Sequence, residues 1–319
     1  MLNEIIVSGR ILELETVHSV EDNAFVSLVF DHAGKLIYAS EHFYQLVDFD
    51  QAEISDTVLF QSANEDLSSS LTTAIAHIKT TGENWHGEIY QAKKNGELLW
   101  LDARLSPRRD ETGLIFAFVM LGFDITRHMA IRKKLHYRAH NDSLTRTLNR
   151  QGYYIRSRKK IRAANASGAH TIVAILDLDN FKNINDDLGH AAGDEVLRCF
   201  ISRVKSCISA GTLLGRLGGD EFALTFIEGV DEVDGKQLLQ LIVEQTRQPM
   251  KLSALAQPVE LSVSIGVASY PEHGPNFSSI LKAADTALYK VKARGGDDFI
   301  NYQVAGHCEP GGIIGTPGC

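Results

Sequence analysis

Cysteine is scarce in this chain of 319 residues: there are four, Cys199, Cys207, Cys308 and Cys319, and none is in a CxxC pair. Their spacing excludes the usual structural zinc motifs, which need closely spaced pairs of thiolates. All four lie in the second half of the chain, a pattern typical of reduced thiols in the cytosol. We therefore expect a cytoplasmic protein.

Long apolar runs and a basic beginning are also missing. No stretch of about 18 apolar residues occurs, so the sequence predicts no membrane-spanning helix. Residues 1–17, MLNEIIVSGRILELETV, carry acidic side chains early and lack the basic start of a secretion signal. Neither a membrane anchor nor export is expected.

Positive charge is in deficit, because 32 Lys and Arg stand against 40 Asp and Glu, a net charge of -8. A protein that binds duplex nucleic acid normally presents a basic surface to the phosphates, so no nucleic-acid partner is expected. Any chemistry on phosphates should then be local and assisted by a metal ion. At roughly 150 residues per domain, the length suggests two domains.

The first half of the chain is predicted to contain short strands joined by sharp turns. Residues 31–35 form a glycine turn, residues 68–82 repeat apolar side chains at helical spacing, and Asn95-Gly96 joins two strand-like segments. The predicted order is two strands, small helices and three strands. This order, with its turns, resembles a PAS sensor domain over residues 22–126.

The resemblance implies a sensor whose ligand is unknown. A flavin photosensor would need an adduct-forming cysteine, and this segment has none. Haem is one alternative, since an iron ligand could come from the five histidines in or near the segment, which are His18, His32, His42, His77 and His86. Ordinary surface or core histidines are the simpler interpretation, and the cavity would then hold a small metabolite or nothing.

Two segments flank this domain. Residues 1–21 are a lead-in without assigned chemistry, for which a helix that packs on a partner is one interpretation. Residues 127–141 are basic and lack Gly and Pro, which predicts a helix. Ile131, Leu135 and Ala139 form a narrow apolar stripe of the kind that pairs two helices. A solvated linker helix is the alternative, but the position between two domains favours a signalling stalk.

The second half concentrates acidic residues at strand ends. Thr171–Leu176 is an apolar, β-branched run that predicts a buried central strand, and it leads directly into Asp177. Gly218-Gly219 separates two further strands and puts Asp220 and Glu221 at a hairpin tip. Neighbouring carboxylates repel unless a cation lies between them, and Mg²⁺ shares oxygen ligands with substrate phosphates. The pattern predicts metal-assisted phosphoryl or nucleotidyl transfer.

The decapeptide GRLGGDEFAL at 215–224 carries the signature of the GGDEF diguanylate cyclases, which make cyclic di-GMP from two GTP molecules. Five more segments resemble motifs of this family: DSLTRTLNR at 142–150, DLDNFKNIND at 177–186, GHAAGDEVL at 189–197, SVSIGVASYP at 262–271 and ADTALYKVKARGG at 284–296. Together they predict a GGDEF domain over residues 142–303. The Gly-rich tail 304–319 is expected to be disordered.

The resemblance implies a metal and catalytic set. Asp177, Asp220 and the carbonyl of Leu178 would hold Mg²⁺ or Mn²⁺, and Asp220 would also deprotonate the attacking 3′-hydroxyl. Lys182 would stabilise charge on the transferring phosphate. Glu221 would complete the acidic cluster.

The resemblance also implies a nucleotide-binding set, which is Phe181, Asn185, His190, Asp194, Gly218, Gly219 and Lys292. Within it, Asn185 and Asp194 match the residues that read the guanine edge, and Lys292 matches a lysine that meets the triphosphate. For Asp179 and Asp186 we prefer capping of the helix start to a catalytic role.

Three positions depart from the family pattern. Gly296 stands where an arginine usually follows the phosphate lysine, so triphosphate binding should be weaker or completed from elsewhere. Ser209–Thr212 replaces the RxxD motif of product inhibition, so feedback through that site should be absent. Arg146 and Thr147 replace a glycine and a leucine in the opening motif, which would alter the stalk junction more than the chemistry.

The expected fold is α+β: an N-terminal PAS-like antiparallel sheet domain, a helical linker, and a C-terminal GGDEF domain of the ferredoxin-like palm type, with a mixed sheet flanked by helices. The expected activity is a PAS-regulated, homodimeric diguanylate cyclase, because two bound GTP molecules must face each other. One alternative is a catalytically silent GGDEF domain that binds GTP or relays the signal. Another alternative is an enzyme whose dinucleotide product contains adenine, but Asp194 favours guanine as the substrate base.

Overall fold

The computed structural model describes residues 4–7, 10–13, 25–54, 71–227, 234–253 and 257–303. Contacts between α-carbons divide the chain into two compact units, Met1–Lys134 and Leu135–Cys319. No helix within these described ranges is both long enough and apolar enough to cross a bilayer. The predicted tail, 304–319, lies outside the described residues.

A five-stranded antiparallel sheet forms the first unit, in the order β4-β3-β7-β6-β5. Its strands are β3 (Val26–Asp31), β4 (Leu36–Ala39), β5 (Trp85–Ala92), β6 (Leu98–Arg109) and β7 (Ile115–Asp124). Gly34 and Gly96 take the left-handed conformation in the turns between paired strands, with φ of 91° and 84°. Glycine adopts positive φ without steric cost, which allows these tight turns. Because β3 pairs with β4 and β5 pairs with β6, both predicted hairpins are confirmed.

Among the described residues, three helices supply the core on one face of this sheet: α1 (Glu41–Val47), α2 (Gln51–Ile54) and α3 (Leu71–Thr81). The strands alternate in burial, so that Leu99 and Leu101 on β6 point inward and pack in the same core as Ile75 and Ile78 on α3. The predicted helix is confirmed over Leu71–Thr81 and ends before Gly82, which has φ of 76°, while residues 68–70 of the prediction lie outside the described residues. The strand and helix order is that of the predicted PAS-like domain.

The lead-in contains strands where a helix was one interpretation. β1 (Glu4–Val7) and β2 (Arg10–Glu13) pair antiparallel, and Val7 is fully buried with Val29, Ala117 and Val119. These three side chains alternate with the residues that face the helices, so Val7 covers the opposite face of the sheet. The helix interpretation is wrong for these residues, because the two segments pair with each other as strands and Val7 packs on an apolar face of the sheet.

The predicted linker helix is present as α4 (Thr126–His140). The Thr126 amide donates to Asp124 Oδ1 at 2.7 Å, and the Thr126 hydroxyl oxygen accepts from the Trp100 amide at 2.9 Å, which attaches the helix start to the end of the sheet. No residue of α4 is buried within the described chain, and Ile131 and Leu135 of the apolar stripe are 48% and 60% exposed.

A second five-stranded sheet forms the other unit, in the order β12-β11-β8-β10-β9. Its strands are β8 (Thr171–Leu178), β9 (Leu213–Gly218), β10 (Glu221–Ile227), β11 (Val263–Tyr270) and β12 (Phe299–Asn301). Only the pair of β11 and β12 is parallel in this described sheet, so the sheet is mixed, as predicted.

Helices cover both faces of this sheet: α5 (Arg150–Ser167), α6 (Phe181–Leu188), α7 (His190–Cys207), α8 (Gly235–Arg247) and α9 (Phe277–Ala293). All eight residues of β8 are buried. Ile172 and Ala174 pack with side chains of α7 and α8, whereas Val173 and Ile175 pack with those of α5 and α9. The central strand predicted from the β-branched run is therefore confirmed, since helices cover both of its faces.

Gly266 brings β11 into direct contact with the backbone of α9. A Cβ at this position would collide with the Ala284 carbonyl oxygen and the Leu288 amide. Because both are backbone atoms, no side-chain rotation can relieve the collision. We therefore expect Gly266→Ala to destabilise this unit by about 3 kcal/mol, measured as a lower urea midpoint of its unfolding transition.

Gly218→Ala is the matched control for that measurement, since a Cβ there meets nothing within 4 Å. An unchanged urea midpoint in Gly266→Ala would contradict the close packing of β11 on α9.

Candidate active site

Three acidic residues meet where β8 ends. Asp177 on β8 lies opposite Glu221 on β10, and Asp220 occupies the two-residue turn between β9 and β10. Gly219 makes this turn with φ of 51°, a conformation that favours glycine. The Leu178 amide donates to the Asp220 carbonyl at 3.5 Å and so ties the hairpin tip to the strand. The predicted hairpin is confirmed, and antiparallel register is what gathers the carboxylates.

Lys292, near the end of α9, joins this cluster. Its Nζ lies 2.7 Å from Asp177 Oδ1, and the Asp177 side chain is only 9% exposed while that of Lys292 is 46% exposed. Burial raises the pKa of Asp177, Lys292 opposes this shift, and the charges of Asp220 and Glu221 add to it, so that the pKa lies above its ordinary value. Negative charge is therefore in excess here and would be stabilised by a cation.

The donor set suits a hard divalent cation. Within the described residues, no group of three His, Cys, Asp or Glu side chains is arranged to hold a metal ion. Two carboxylates, from Asp177 and Asp220, and one backbone carbonyl, from Leu178, remain as oxygen donors, and the Lys292 ammonium already lies against one of them. Oxygen donors of this kind fit Mg²⁺, which keeps the rest of its shell for water and phosphate.

The other predicted side chains lie on α6 and α7. Lys182, His190 and Asp194 are exposed and Asn185 is half-buried. Phe181, by contrast, packs its side chain into the hydrophobic core beneath. Gly189, with φ of 83°, separates the two helices and allows them to lie side by side.

Gly193 on α7 sets the position of Asn185. A Cβ at residue 193 would collide with Asn185 Oδ1 and come within 3.3 Å of Phe181 Cζ. Asn185 would have to rotate away, while alanine itself is a better helix former than glycine. If Asn185 binds the nucleotide, we expect Gly193→Ala to raise the KM for GTP about tenfold without lowering the Tm.

A double-mutant cycle checks this cause. Asn185→Ala and Gly193→Ala/Asn185→Ala should have the same KM for GTP, because the glycine acts only through the asparagine. Additive losses in the double variant would contradict that coupling.

Arg216 fastens the hairpin to the segment that follows α4, a link that sequence reasoning missed. Its Nε donates to the Gly219 carbonyl at 2.9 Å, and its Nη1 lies 3.2 Å from Asp142 Oδ1. Asp142 also accepts from the amide and hydroxyl of Thr145. Burial raises the pKa of Asp142, but these hydrogen bonds and the charge of Arg216 outweigh it, so the pKa lies below its ordinary value. Both residues stood in recognised motifs, yet nothing in the spacing indicated that they pair.

The predicted capping role of Asp179 and Asp186 is wrong. The N-cap of α6 is Asn180, which makes no side-chain capping bond, and Asp186 lies inside the helix. Asp179 instead accepts hydrogen bonds from Ser262, Ser264 and the Asp297 amide. The carboxylate turns away from the helix because three donors on neighbouring segments are within its reach.

All three departures from the family pattern lie among the described residues. Arg146, where the family pattern has a glycine, takes a left-handed φ of 52°, and the Thr147 carbonyl accepts from the Asp142 amide at 2.8 Å.

Ser209 and Thr212 follow α7, and their hydroxyl oxygens lie 3.3 Å apart. These two hydroxyls stand where the RxxD motif has a guanidinium and a carboxylate. Gly296 has φ of 79° and lies directly against Asp179.

Family models match both units of the chain. The model described as "Diguanylate cyclase, GGDEF domain" matches residues 139–298, about half of the chain, and the PAS domain model matches residues 22–127. The chain therefore belongs to the GGDEF family of diguanylate cyclase domains, and it carries a PAS domain before the GGDEF domain.

Two curated proteins are similar to this chain. The diguanylate cyclase TpbB of Pseudomonas aeruginosa is 39% identical over 163 residues, 50% of this chain and 37% of that protein. An uncharacterised signalling protein of Caulobacter vibrioides is 30% identical over 287 residues, 88% of this chain and 34% of that protein. The chain thus spans about a third of the length of these curated relatives.

Among solved structures, the coiled coil and GGDEF domain of DgcB from Caulobacter crescentus, in complex with c-di-GMP, is similar. It is 25% identical, with a TM-score of 0.51, and the match covers 56% of this chain and 93% of that one.

Proposed function

We propose that this protein is a diguanylate cyclase that condenses two GTP molecules into cyclic di-GMP and two pyrophosphates, under control of its PAS domain. The single observation that carries the proposal is the geometry at the end of β8, where Asp177, Asp220 and Glu221 lie together beside Lys292. Excess negative charge beside a lysine suits a metal-bound triphosphate.

Asp177, Asp220 and the Leu178 carbonyl would hold Mg²⁺ or Mn²⁺ in the proposed enzyme. When bound, the ion would neutralise charge on the phosphates and polarise the α-phosphate towards attack. Lys292 then exchanges its contact with Asp177 for the triphosphate, a short movement for a half-exposed side chain.

Asp220 accepts the proton of the attacking 3′-hydroxyl, in the proposed reaction. The 3′-oxygen forms a bond to the α-phosphorus of the other GTP, and the bond to the leaving pyrophosphate breaks. Lys182 offsets the charge that develops on the transferring phosphate. Glu221, exposed at the start of β10, adds to the negative field that attracts the cation.

Asn185 and Asp194 select guanine in this proposal. A carboxylate accepts from the N1–H and 2-amino donors of guanine, which adenine does not offer in that arrangement. His190 adds a contact at the same pocket. Since the Phe181 side chain is in the core, its contribution falls to its backbone amide at the start of α6, while Gly218 and Gly219 leave the hairpin open to the nucleotide.

Each GGDEF domain holds one GTP in this proposal, so two domains must face each other before either 3′-hydroxyl can attack. We therefore propose a homodimer as the active form. The domain limits proposed with it are 22–126 for the PAS domain, 127–141 for the linker and 142–303 for the cyclase.

The test is to incubate the purified chain with GTP and Mg²⁺ and to resolve the products by chromatography, with ATP in a parallel reaction. Cyclic di-GMP from GTP alone is the expected result. Binding of GTP without any product would instead identify a catalytically silent GTP-binding module, and a mixed dinucleotide from GTP and ATP would contradict the guanine assignment.

A further inference from the structure

A hydrogen-bond network centred on Asp179 joins three segments beside the candidate active site. Its Oδ2 accepts from the Ser262 hydroxyl at 2.7 Å and from the Asp297 amide at 3.0 Å, and its Oδ1 accepts from the Ser264 hydroxyl at 2.6 Å. Its own amide donates to the Ser262 carbonyl at 3.0 Å. The network therefore ties the end of β8 both to β11 and to the loop that follows α9.

That loop has an unusual backbone. Gly295, Gly296 and Asp297 are consecutive residues with positive φ, at 109°, 79° and 56°. Such a run is costly for a residue with a side chain, so Asp297 needs support from its surroundings. Asp179 supplies it through the Asp297 amide, and Arg247 supplies it through the Asp297 carboxylate, whose two oxygens both lie 2.9 Å from Nε.

Gly296 is what permits this close approach. A Cβ added at Gly296 would lie 2.9 Å from Asp179 Oδ1 and 3.0 Å from Ser264 Oγ, and the φ of 79° is itself strained for any other residue. The absence of a side chain at residue 296 therefore lets the loop lie directly against Asp179 and Ser264.

The loop begins directly behind Lys292. The Gly295 amide donates to the Lys292 carbonyl at 3.1 Å, and the Gly296 amide donates to the Val291 carbonyl at 3.1 Å. The end of α9 and the loop thus form one hydrogen-bonded unit. Fixing the loop on Asp179 also fixes Lys292, whose Nζ contacts Asp177 two residues before Asp179.

We propose that Asp179 is a positioning residue for the nucleotide triphosphate: by holding the glycine loop it keeps Lys292 where it can exchange Asp177 for phosphate oxygens. The proposal rests on the proposed cyclase function for its substrate. It assigns Asp179 no contact with the reacting atoms, and it makes Gly296 part of the anchor in this chain.

The first test compares Asp179→Ala and Asp179→Asn with the wild type. In Asp179→Ala we expect the KM for GTP to rise about tenfold with kcat changed less than about threefold, since an unanchored lysine weakens triphosphate binding. The Asp297 amide should exchange its hydrogen at least about tenfold faster. Asp179→Asn keeps one acceptor oxygen and should restore part of both losses.

Glu272→Gln is the matched control, because it removes the same charge from an exposed residue just after the end of β11 that lies opposite to Ser262 and Ser264. Should Asp179→Ala fail to fold, Ser262→Ala removes one donor from the network and leaves the carboxylate in place. An unchanged KM together with unchanged exchange of the Asp297 amide in the Asp179 or Ser262 variants would overturn the proposal. A fall in kcat at constant KM would overturn it as well.

A second variant tests whether GTP binding depends on the loop held by Asp179 or only on the amount of positive charge near the triphosphate. Gly296→Arg adds a cation beside the phosphate lysine, but its side chain must displace the loop from Asp179. We expect weaker GTP binding and faster exchange at Asp297, and tighter GTP binding would overturn the proposal.

Failure of the proposed cyclase function can be distinguished from failure of the positioning role of Asp179. If the wild type makes no cyclic di-GMP, the affinity for a GTP analogue with a methylene α–β bridge and the Asp297 exchange rate still report on the anchor. Loss of analogue affinity in Asp179→Ala would then support the positioning role without the reaction, and retained affinity would overturn it.

Discussion

Asp177→Asn is expected to lower cyclic di-GMP synthesis at least about a thousandfold while leaving the fold intact. The substitution removes the charge of the carboxylate that we propose as a metal ligand, at nearly constant volume. The structure adds a second expectation, because Asp177 is buried beside Asp220 and Glu221 and its pKa is raised. A neutral amide is better suited to that environment than a carboxylate, and Lys292 is half-exposed and can turn to solvent. The Tm should therefore be equal to or above that of the wild type.

The measurements are initial rates with saturating GTP and Mg²⁺, with Tm by calorimetry. Asp220→Asn should lose activity to a similar extent, whereas Glu272→Gln, at an exposed residue just after the end of β11 and remote from Asp177, should retain it. A near wild-type rate in Asp177→Asn or Asp220→Asn would show that the metal assignment is wrong. A collapse of the Tm would show that the carboxylates serve the fold rather than the reaction.

The second large effect is expected from the length of α4. An insertion of two residues after Lys134 would rotate the segments on either side by roughly 200° about the helix axis, whereas seven residues, nearly two full turns, would almost restore the phase. We expect the two-residue insertion to change cyclase activity strongly and the seven-residue insertion much less, since in the proposed homodimer the two catalytic domains must face each other.

The composition of α4 explains why a signal could act through it. Its apolar stripe is narrow and its residues are exposed, so alternative pairings of two such helices should differ by only a few kcal/mol. A PAS ligand shifts their populations only if it binds the two arrangements with different affinity. Activity is to be compared at concentrations where light scattering finds both insertion variants dimeric. Equal activities would show that α4 is only a tether and that the PAS domain acts through dimerisation alone.

Local patterns in the sequence were sufficient for the elements and the family. Glycine turns at Gly34 and Gly96 predicted hairpins because few other residues adopt their φ, and the β-branched run at 171–176 predicted a central strand because both of its faces must be apolar. The GGDEF signature predicted a hairpin with acidic residues at its tip. Each of these features is encoded within about ten consecutive residues, so no knowledge of distant partners was needed.

Other features depended on which distant segments meet, and only the tertiary structure decided them. Lys292 pairs with Asp177 across more than a hundred residues, and Arg216 joins the hairpin to Asp142. Asp179 was assigned to a helix cap because the sequence showed only its neighbours, whereas its hydrogen-bond donors come from two segments far along the chain. Hydrophobic periodicity specifies which face of a strand is buried, but the order and register of strands follow from packing of the whole sheet. The sequence by itself therefore determined the parts and their class, and the fold decided which charged groups act together.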